Sequence, residues 1–159
     1  MKEIPLTQGK TAIVDDDMYD ELSKYKWSAS FLHGNWYAKR NIRVGGKRLT
    51  VRMHSVIIDI PSGLLPDHKN GNGLDNRREN LRACTKTENQ RNQRKTRGTS
   101  VFKGVHWKEE RGNWIAQIQV NHKNFHLGCF TSEIAAALAY DEAAKLHFGE
   151  FAKTNFIEV

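Results

Sequence analysis

The sequence has few cysteines and no long apolar run. Cys84 and Cys129 are its only cysteines and lie in separate segments, which excludes a disulfide framework and a four-thiolate zinc site. No apolar stretch approaches the roughly 18 residues of a membrane span, and the N-terminus lacks the apolar region of a signal peptide. We therefore expect an intracellular, cytoplasmic protein with no membrane partner.

Acidic residues are outnumbered. Lys and Arg total 25 against 18 Asp and Glu in 159 residues, for a net charge of +7. Such a surplus favours an anionic partner, and charge alone does not separate nucleic acid from a membrane surface. Residues 51–100 carry 10 basic and 5 acidic side chains, whereas residues 101–159 carry 6 and 7. The middle third is therefore the electrostatic centre of the chain.

The first third predicts a β-rich extension. Residues 11–14 have the pattern of a short strand, and three aspartates, 15–17, follow it. Their charge suits a helix N-terminus, although such a cluster also resembles a metal site. Residues 37–44 and 47–53 alternate on either side of Gly45-Gly46, a pair typical of a hairpin turn. One face of this hairpin is apolar and the other cationic, so the cationic face either follows phosphates or is simply solvated.

The most informative segment is residues 65–94. An apolar run ends in Asp67-His68 and is followed by a turn-rich Asn/Gly loop and a short strand around Leu81. Thr85 and Glu88 then have the spacing of a capping box, which predicts a helix start.

A strand that ends in Asp-His, a loop with a second strand, and a helix can together hold one hard cation. Carboxylate and amide oxygens from Asp67 and Asn89 suit Mg²⁺ or Mn²⁺, with phosphate and water as the other ligands. His68, neutral at pH 7, can accept a proton from an attacking water if Asn80 fixes its orientation. The segment therefore predicts metal-dependent hydrolysis of a phosphodiester.

The run DHKNGNGLDNRRENL, preceded by MHSVII, resembles the HNH endonuclease family, specifically its bacteriophage and intron-associated homing endonucleases. The resemblance implies a ββα-metal fold with Asp67 and Asn89 as metal ligands. It implies His68 as the general base and Asn80, twelve residues later, as the asparagine that orients it. Some HNH proteins also hold a structural zinc through CxxC pairs, which this sequence lacks, so we expect no zinc and no small-molecule cofactor.

Basic residues around this segment are candidate DNA contacts. A run of cations supplies affinity independent of sequence through counterion release. The candidates are Arg77, Arg82, Arg91, Arg94, Lys95 and Arg97. The alternative is ordinary surface charge and a solubilising linker. His54, fourteen residues before His68, is either a phosphate contact or a structural residue, and the latter is favoured.

The last 60 residues predict a three-stranded meander followed by a helix. Trp114, Ala116, Ile118 and Val120 share one face of the middle strand, and residues 132–148 form an alanine-rich helix ending at Gly149. The single predicted helix can cover only one face of the predicted sheet. The other face is therefore free to bind a partner.

This segment, with GNWIAQIQV and YDEAAKLHF, resembles the plant ethylene-response-factor (apetala-type) DNA-binding domain, which also occurs fused to HNH nucleases. In that family the sheet enters the major groove. The residues at the corresponding sheet positions are Lys103, His106, Lys108, Gln117, Gln119, Asn124 and His126. The family pattern has mostly Arg and Trp there, so its target site is not transferable. Gln117 and Gln119 can each bond adenine, or they are polar residues on a wet face.

These observations predict an α+β fold. We expect a β-rich extension over residues 1–50, the ββα-metal HNH module over 51–95, a basic linker over 96–100 and a sheet-plus-helix DNA-binding domain over 101–159. The predicted function is that of a site-directed, homing-type DNA endonuclease, acting as a monomer on double-stranded DNA and cutting one or both strands. The rival is a sequence-specific DNA-binding regulator without catalysis, and a third, weaker alternative is RNA binding.

Overall fold

The computed structural model of the protein describes residues 1–92 and 98–156. They form two compact units, Met1–Thr87 and Glu88–Val159. Three predicted DNA contacts, Arg94, Lys95 and Arg97, and part of the expected linker lie outside the described residues.

The first unit begins with two small antiparallel sheets. Strands β1 and β2 pair with each other, helix α1 follows, and the next three strands form a sheet in the order β3-β4-β5. The bounds are β1 Lys2–Pro5, β2 Thr11–Val14, α1 Asp16–Leu22, β3 Ser28–Leu32, β4 Asn35–Val44 and β5 Lys47–Arg52. Gly45 and Gly46 both have positive φ, 56° and 77°, as the predicted two-residue turn requires.

The segment after β5 contains, in order, a short helix, a strand, a loop, a second strand and a helix. Strands β6 and β7 pair antiparallel, and a 3₁₀ turn, Arg78–Asn80, leads into β7. The bounds are α2 His54–Ile57, β6 Leu65–His68, β7 Leu81–Cys84 and α3 Lys86–Asn92. Helix α3 starts one residue after Thr85, where the capping pattern predicts it, and the boundary between the two units falls within it.

A single apolar core supports the first unit. It brings together side chains from β2, α1, β4 and the start of α2, and the Trp27 indole donates to the Leu22 carbonyl at 2.8 Å. Its fully buried members include Val14, Leu22 and Met53. The core also includes Leu81 of β7, the residue opposite His68 in the β6–β7 pair.

The second unit is the predicted three-stranded sheet with one helix. Its strands lie in the order β10-β9-β8, all antiparallel. The bounds are β8 Val105–Lys108, β9 Asn113–Val120, β10 Lys123–Phe130 and α4 Glu133–Phe148. Ser132 caps α4 by accepting from the Ala135 amide, and Gly149 ends it with φ 53°.

Small residues let α4 approach the sheet closely. Ala136, Ala137 and Ala144 are completely buried against residues of β8 and β9. Gly104 has φ +75°, and a Cβ there would meet the Tyr140 ring. The helix therefore covers the face of Ala116 and Ile118, as the sequence predicts.

Within the described residues, no helix combines the length and the apolar character needed to cross a bilayer.

Candidate active site

The pairing of β6 with β7 sets the first feature of the site. Asp67 lies opposite Arg82, and His68 lies opposite Leu81. The Asp67 carboxylate accepts from Arg82 Nε and lies 2.8 Å from its terminal nitrogen. Both side chains are buried, at 5% and 9% exposure. Arg82 thus forms a buried ion pair with Asp67, and its contact with DNA stays a prediction.

Asn76 is the asparagine that contacts His68. Its Oδ1 lies 3.3 Å from His68 Nε2, and its Nδ2 donates to the Leu74 carbonyl at 3.2 Å. Because that second bond fixes the amide orientation, the His68 contact requires a proton on Nε2. The neutral ring then carries its lone pair on Nδ1, the atom suited to accept a proton.

Asn80 has a different position from the one expected. Its Oδ1 accepts from the Asn70 amide at 3.0 Å, and its Nδ2 donates to the Asp75 carbonyl at 2.7 Å. Both bonds cross the loop between β6 and β7. Asn80 therefore holds the loop that carries Asn76, and Asn76 makes the bond to His68. The expectation that Asn80 orients His68 stays a prediction, with Asn76 as the intermediate.

The loop is also tied to β2. The Asn76 amide donates to the Ile13 carbonyl, and the Ile13 amide donates to the Leu74 carbonyl, both at 2.8 Å. This backbone pairing explains why a residue in a polar, turn-like sequence has a side chain 1% exposed. The Asn76 side chain is thereby fixed in place before any substrate binds.

Arg77 serves the same loop. Its guanidinium binds both Asp75 oxygens at 2.8 Å and lies 2.5 Å from a Glu79 oxygen. The Arg77 bonds keep the pKa of Asp75 below its usual value, and Asp75 in turn raises the pKa of Arg77. This charge is balanced within the protein, so Arg77 is a poorer phosphate contact than its position in the motif suggests.

Three rings from three elements meet around the candidate base. The His68 ring centroid lies 5.2 Å from that of His54 and 5.9 Å from that of Tyr37, on β4. His54 is 4% exposed, and its Nε2 has no hydrogen-bond partner among the residues that the structure describes. His54 is therefore part of the wall that holds His68, which supports the structural interpretation of this residue.

Burial keeps both histidines neutral. It lowers the pKa of His54 to about 3, with the charges of His68 and Arg52 acting in the same direction. Burial also lowers the pKa of His68, against opposing contributions from Asn76, Asp67 and Asp75. A neutral imidazole at pH 7 is the form that a general base requires.

The residues expected to hold a cation offer oxygen ligands. In the described part of the chain, no three His, Cys, Asp or Glu side chains are grouped to hold a metal ion. Asp67 supplies a buried carboxylate next to His68, a donor that suits a hard divalent ion sharing its shell with water and phosphate. Asn89, the second expected ligand, lies on α3 within the unit Glu88–Val159, so its pairing with Asp67 stays a prediction.

In the second unit, most of the predicted DNA contacts share one face of the sheet. The strand register places His106 beside Ile115, His126 beside Gln117, and Asn124 beside Gln119. Gln117, Gln119 and His126 are exposed, and Lys108 lies on the same face, 3.6 Å from Glu110. This is the face away from α4, so the predicted open face exists with these side chains on it.

Two predicted DNA contacts in this unit, Lys103 and Arg91, form contacts within the protein. Lys103 is mostly buried, its Nζ donates to the Arg91 carbonyl, and burial lowers its pKa to about 8. The Arg91 guanidinium lies over the Phe148 ring, 4.6 Å from the centroid. The Lys103 ammonium is thus bonded within the second unit, and its contact with DNA stays a prediction.

Comparison with known proteins assigns the class. A model of an HNH endonuclease family matches residues 59–91, the segment that contains Asp67, His68, Asn76, Asn80 and Asn89. The chain is 32% identical over 153 residues to an HNH endonuclease of Acanthamoeba polyphaga mimivirus, an alignment that covers 95% of this chain and 78% of the relative. The chain belongs to the HNH endonuclease family. This membership supports nuclease activity and implies a DNA substrate.

Plant transcription factors match a shorter part of the chain. An AP2-like ethylene-responsive transcription factor of Arabidopsis thaliana is 41% identical over 63 residues, 38% of this chain and 13% of its own length. An AP2/ERF and B3 domain-containing protein of Oryza sativa subsp. japonica is 47% identical over 58 residues, 36% of this chain and 16% of its own length.

Proposed function

We propose that the protein is a site-directed, homing-type DNA endonuclease that hydrolyses a phosphodiester at His68. The observation that carries this is the buried neutral His68, with Nε2 bonded to an asparagine that the fold fixes and Asp67 next to it in the chain. Nδ1 of His68 accepts a proton from the attacking water, which then forms the new bond to phosphorus as the 3′ oxygen leaves.

A single Mg²⁺ or Mn²⁺, held by Asp67 and Asn89 in a ββα-metal arrangement, would stabilise the negative charge that develops on the phosphate and the leaving oxygen. The protein's own contribution is orientation. Asn76 fixes the His68 tautomer, and Asn80 and the backbone of β2 hold Asn76.

We assign site choice to the second unit. Its open sheet face carries exposed Gln117 and Gln119, whose amides can each bond the major-groove edge of adenine. The matches to AP2-type transcription factors support a DNA-binding role for a segment of this size. The near balance of 6 basic and 7 acidic residues in 101–159 suits base contacts better than phosphate contacts.

The test is cleavage of supercoiled plasmid with Mg²⁺ or with EDTA, comparing the wild type with His68→Ala and His68→Gln. Both variants should lose cleavage and keep DNA affinity within a few-fold. His33→Asn, at an exposed turn where φ is +50°, is the matched control and should cut normally.

Cleavage that survives both His68 substitutions would overturn the assignment of the base. A wild type that binds DNA tightly and cuts in neither Mg²⁺ nor Mn²⁺ would instead favour the rival function, a DNA-binding regulator.

A further inference from the structure

The hairpin formed by β4 and β5 has a face that none of the functions above uses. Residues 39–52 contain six basic and no acidic side chains. In the register of this hairpin Arg43 lies opposite Arg48, and Lys39 lies opposite Arg52. Directly opposite residues share a face of an antiparallel pair, so these four side chains form one surface, called here the cationic face.

The cationic face has a cost in stability. Like charges directly opposite each other destabilise a strand pair. Arg43, Arg48 and Arg52 are exposed, and within residues 1–92 and 98–156 no carboxylate forms an ion pair with any of the four cations. Between these two pairs of cations on the same face, the Thr50 hydroxyl donates to Asn41 Oδ1 at 3.0 Å. An anionic partner would relieve the repulsion that the fold leaves in place.

The opposite face of the hairpin has a different role. Arg40 belongs to that face, and its guanidinium lies 3.6 Å from the centroid of the Tyr25 ring. Val51, opposite Arg40, packs against the core of the first unit. The cations of the cationic face therefore point away from the core.

The cationic face starts beside the candidate base. Side chains two residues apart along a strand share a face, so Tyr37 precedes Lys39 and Arg43 on the same side of β4. Tyr37 contacts the His68 ring, and the charge of Arg52 acts on His54. At about 3.4 Å per residue, the row from Tyr37 to Arg43 is about 20 Å long, and it begins at the residue whose ring contacts His68.

We propose that the cationic face of the β4–β5 hairpin binds the phosphates of duplex DNA beside the bond to be cut, and so places that bond against His68. The inference rests on the proposed function in taking duplex DNA as the substrate. The hairpin projects past β3, which pairs only with residues 35–39 of β4. A two-stranded ribbon of this kind fits the major groove, which is about 12 Å wide.

The test measures DNA affinity as a function of salt, in EDTA, for Arg43→Gln/Arg48→Gln. Each phosphate contact contributes about 0.9 to the slope of log affinity against log salt. The double variant should therefore have a slope shallower by about 2 and roughly ten-fold or more weaker binding near 0.1 M salt. Its thermal midpoint should not fall, because the substitution removes a repulsion.

Lys24→Gln/Lys26→Gln is the matched control. These lysines are exposed in the same unit, outside the hairpin, and the control loses the same charge. It should keep the wild-type slope. Equal slopes for the wild type and the hairpin variant would overturn the proposal, as would equal losses in the two double variants. An effect on binding to an RNA duplex but not to a DNA duplex would overturn it in favour of an RNA surface.

The same measurements separate this proposal from the nuclease assignment. A wild type that fails to cut plasmid in Mg²⁺, but whose salt slope falls in the hairpin variant, leaves the binding surface supported and the nuclease assignment overturned. Plasmid cleavage by the wild type with an unchanged slope in the hairpin variant gives the reverse conclusion.

Discussion

At the scale of single residues, the site shows how neighbours decide what a side chain can do. His54 and His68 are both buried and their rings are in contact, yet only His68 has an asparagine oxygen on its Nε2. Asn76 thereby gives His68 a defined tautomer, whereas the buried Nε2 of His54 has no such partner. The two histidines therefore differ in their hydrogen bonding, and the proposed function uses His68 as the base and His54 as its support.

The burial of His54 predicts a pH-dependent stability. Its pKa falls from 6.5 to about 3 in the folded protein, so the unfolded chain binds a proton below about pH 6.5 and the folded chain does not. The stability is fully present above that pH and is lost as the pH falls towards 3, by about 2 kcal/mol at pH 5. His68, whose pKa is also lowered, adds loss of the same sign.

Urea unfolding near pH 7 and pH 5 measures this loss. His54→Gln should be markedly less sensitive to acid than the wild type, because one of the two neutral histidines is gone. His33→Asn, at an exposed position, should retain the full dependence. An equal loss in the wild type and His54→Gln would show that His54 is not the titrating group.

The ion pair between Arg82 and Asp67 predicts a link between stability and metal binding. Arg82→Gln leaves a buried carboxylate without its cation, which should destabilise the protein by about 3–5 kcal/mol. With that positive charge removed, Asp67 should attract Mg²⁺ more strongly. Mg²⁺ should therefore raise the thermal midpoint of the variant by more than that of the wild type.

Arg78→Gln is the control for this experiment. Arg78 pairs with Asp17 at the surface, at 46% and 64% exposure, so its loss should cost about 1 kcal/mol or less. If Arg82→Gln costs no more than the control, or if Mg²⁺ shifts all three proteins equally, the proposed coupling through Asp67 is wrong.

At the scale of elements, local sequence signals predict local structure well. The strand at Thr11–Val14, the turn at Gly45-Gly46 and the end of α4 at Gly149 all lie where the sequence places them. Each depends on the conformational preferences of a few consecutive residues. Hydrophobic alternation along β9 also predicts which face α4 covers, although Ile115 on the open face is buried as well, at 5% exposure.

Roles that depend on distant contacts could not be predicted in this way. In the sequence Asn76 has the pattern of a turn residue. Its backbone partner, Ile13, lies far away in the chain, so the neighbouring residues give no sign of this pairing. The pairing of Arg82 with Asp67 follows from strand register, which the sequence does not specify. The bond from Lys103 to the Arg91 carbonyl likewise joins residues twelve positions apart in the chain.

The end of the second unit provides a prediction at this scale. Buried Asp141 on α4 accepts from the amides of Asn155 and Phe156 at 2.8 and 2.9 Å, and Asn155 Oδ1 accepts from the Lys103 amide. Asp141→Ala removes charge-assisted bonds from two backbone donors and should cost about 3 kcal/mol. Hydrogen exchange at those two amides should rise sharply.

Glu142→Ala is the matched change one residue along α4. Glu142 is exposed and pairs with Lys145 at 3.3 Å, so its loss should cost about 1 kcal/mol or less and leave exchange at residues 155 and 156 unaltered. Similar exchange in the two variants would show that Asp141 does not anchor the C-terminal segment.

At the scale of the whole molecule, the two units differ in net charge. Residues 1–87 carry 15 basic and 10 acidic side chains, whereas residues 88–159 carry 10 and 8. Phosphate contacts supply affinity that is independent of sequence, and base contacts supply specificity. The proposed function accordingly assigns phosphate contacts and cleavage to the first unit and site choice to the second.

This division predicts separable defects. Gln117→Ala/Gln119→Ala removes two exposed amides from the open face of β9 and leaves the His68 site intact. Each lost adenine contact should reduce discrimination by about 1–3 kcal/mol, so cleavage should spread over more sites while the total cutting of plasmid persists. Mapping cut positions by sequencing the ends measures this directly.

The change in the cleavage map should depend on where the glutamine lies, and not simply on the loss of a side-chain amide. Gln8→Ala is the control, since Gln8 lies in the first unit and donates to the Ala29 carbonyl at 3.2 Å. It should leave the cleavage map unchanged. If the double variant produces the wild-type map, the second unit does not select the site through β9. The selection would then have to come from the cationic face or the loop near His68, because these are the other surfaces that the proposal places against DNA.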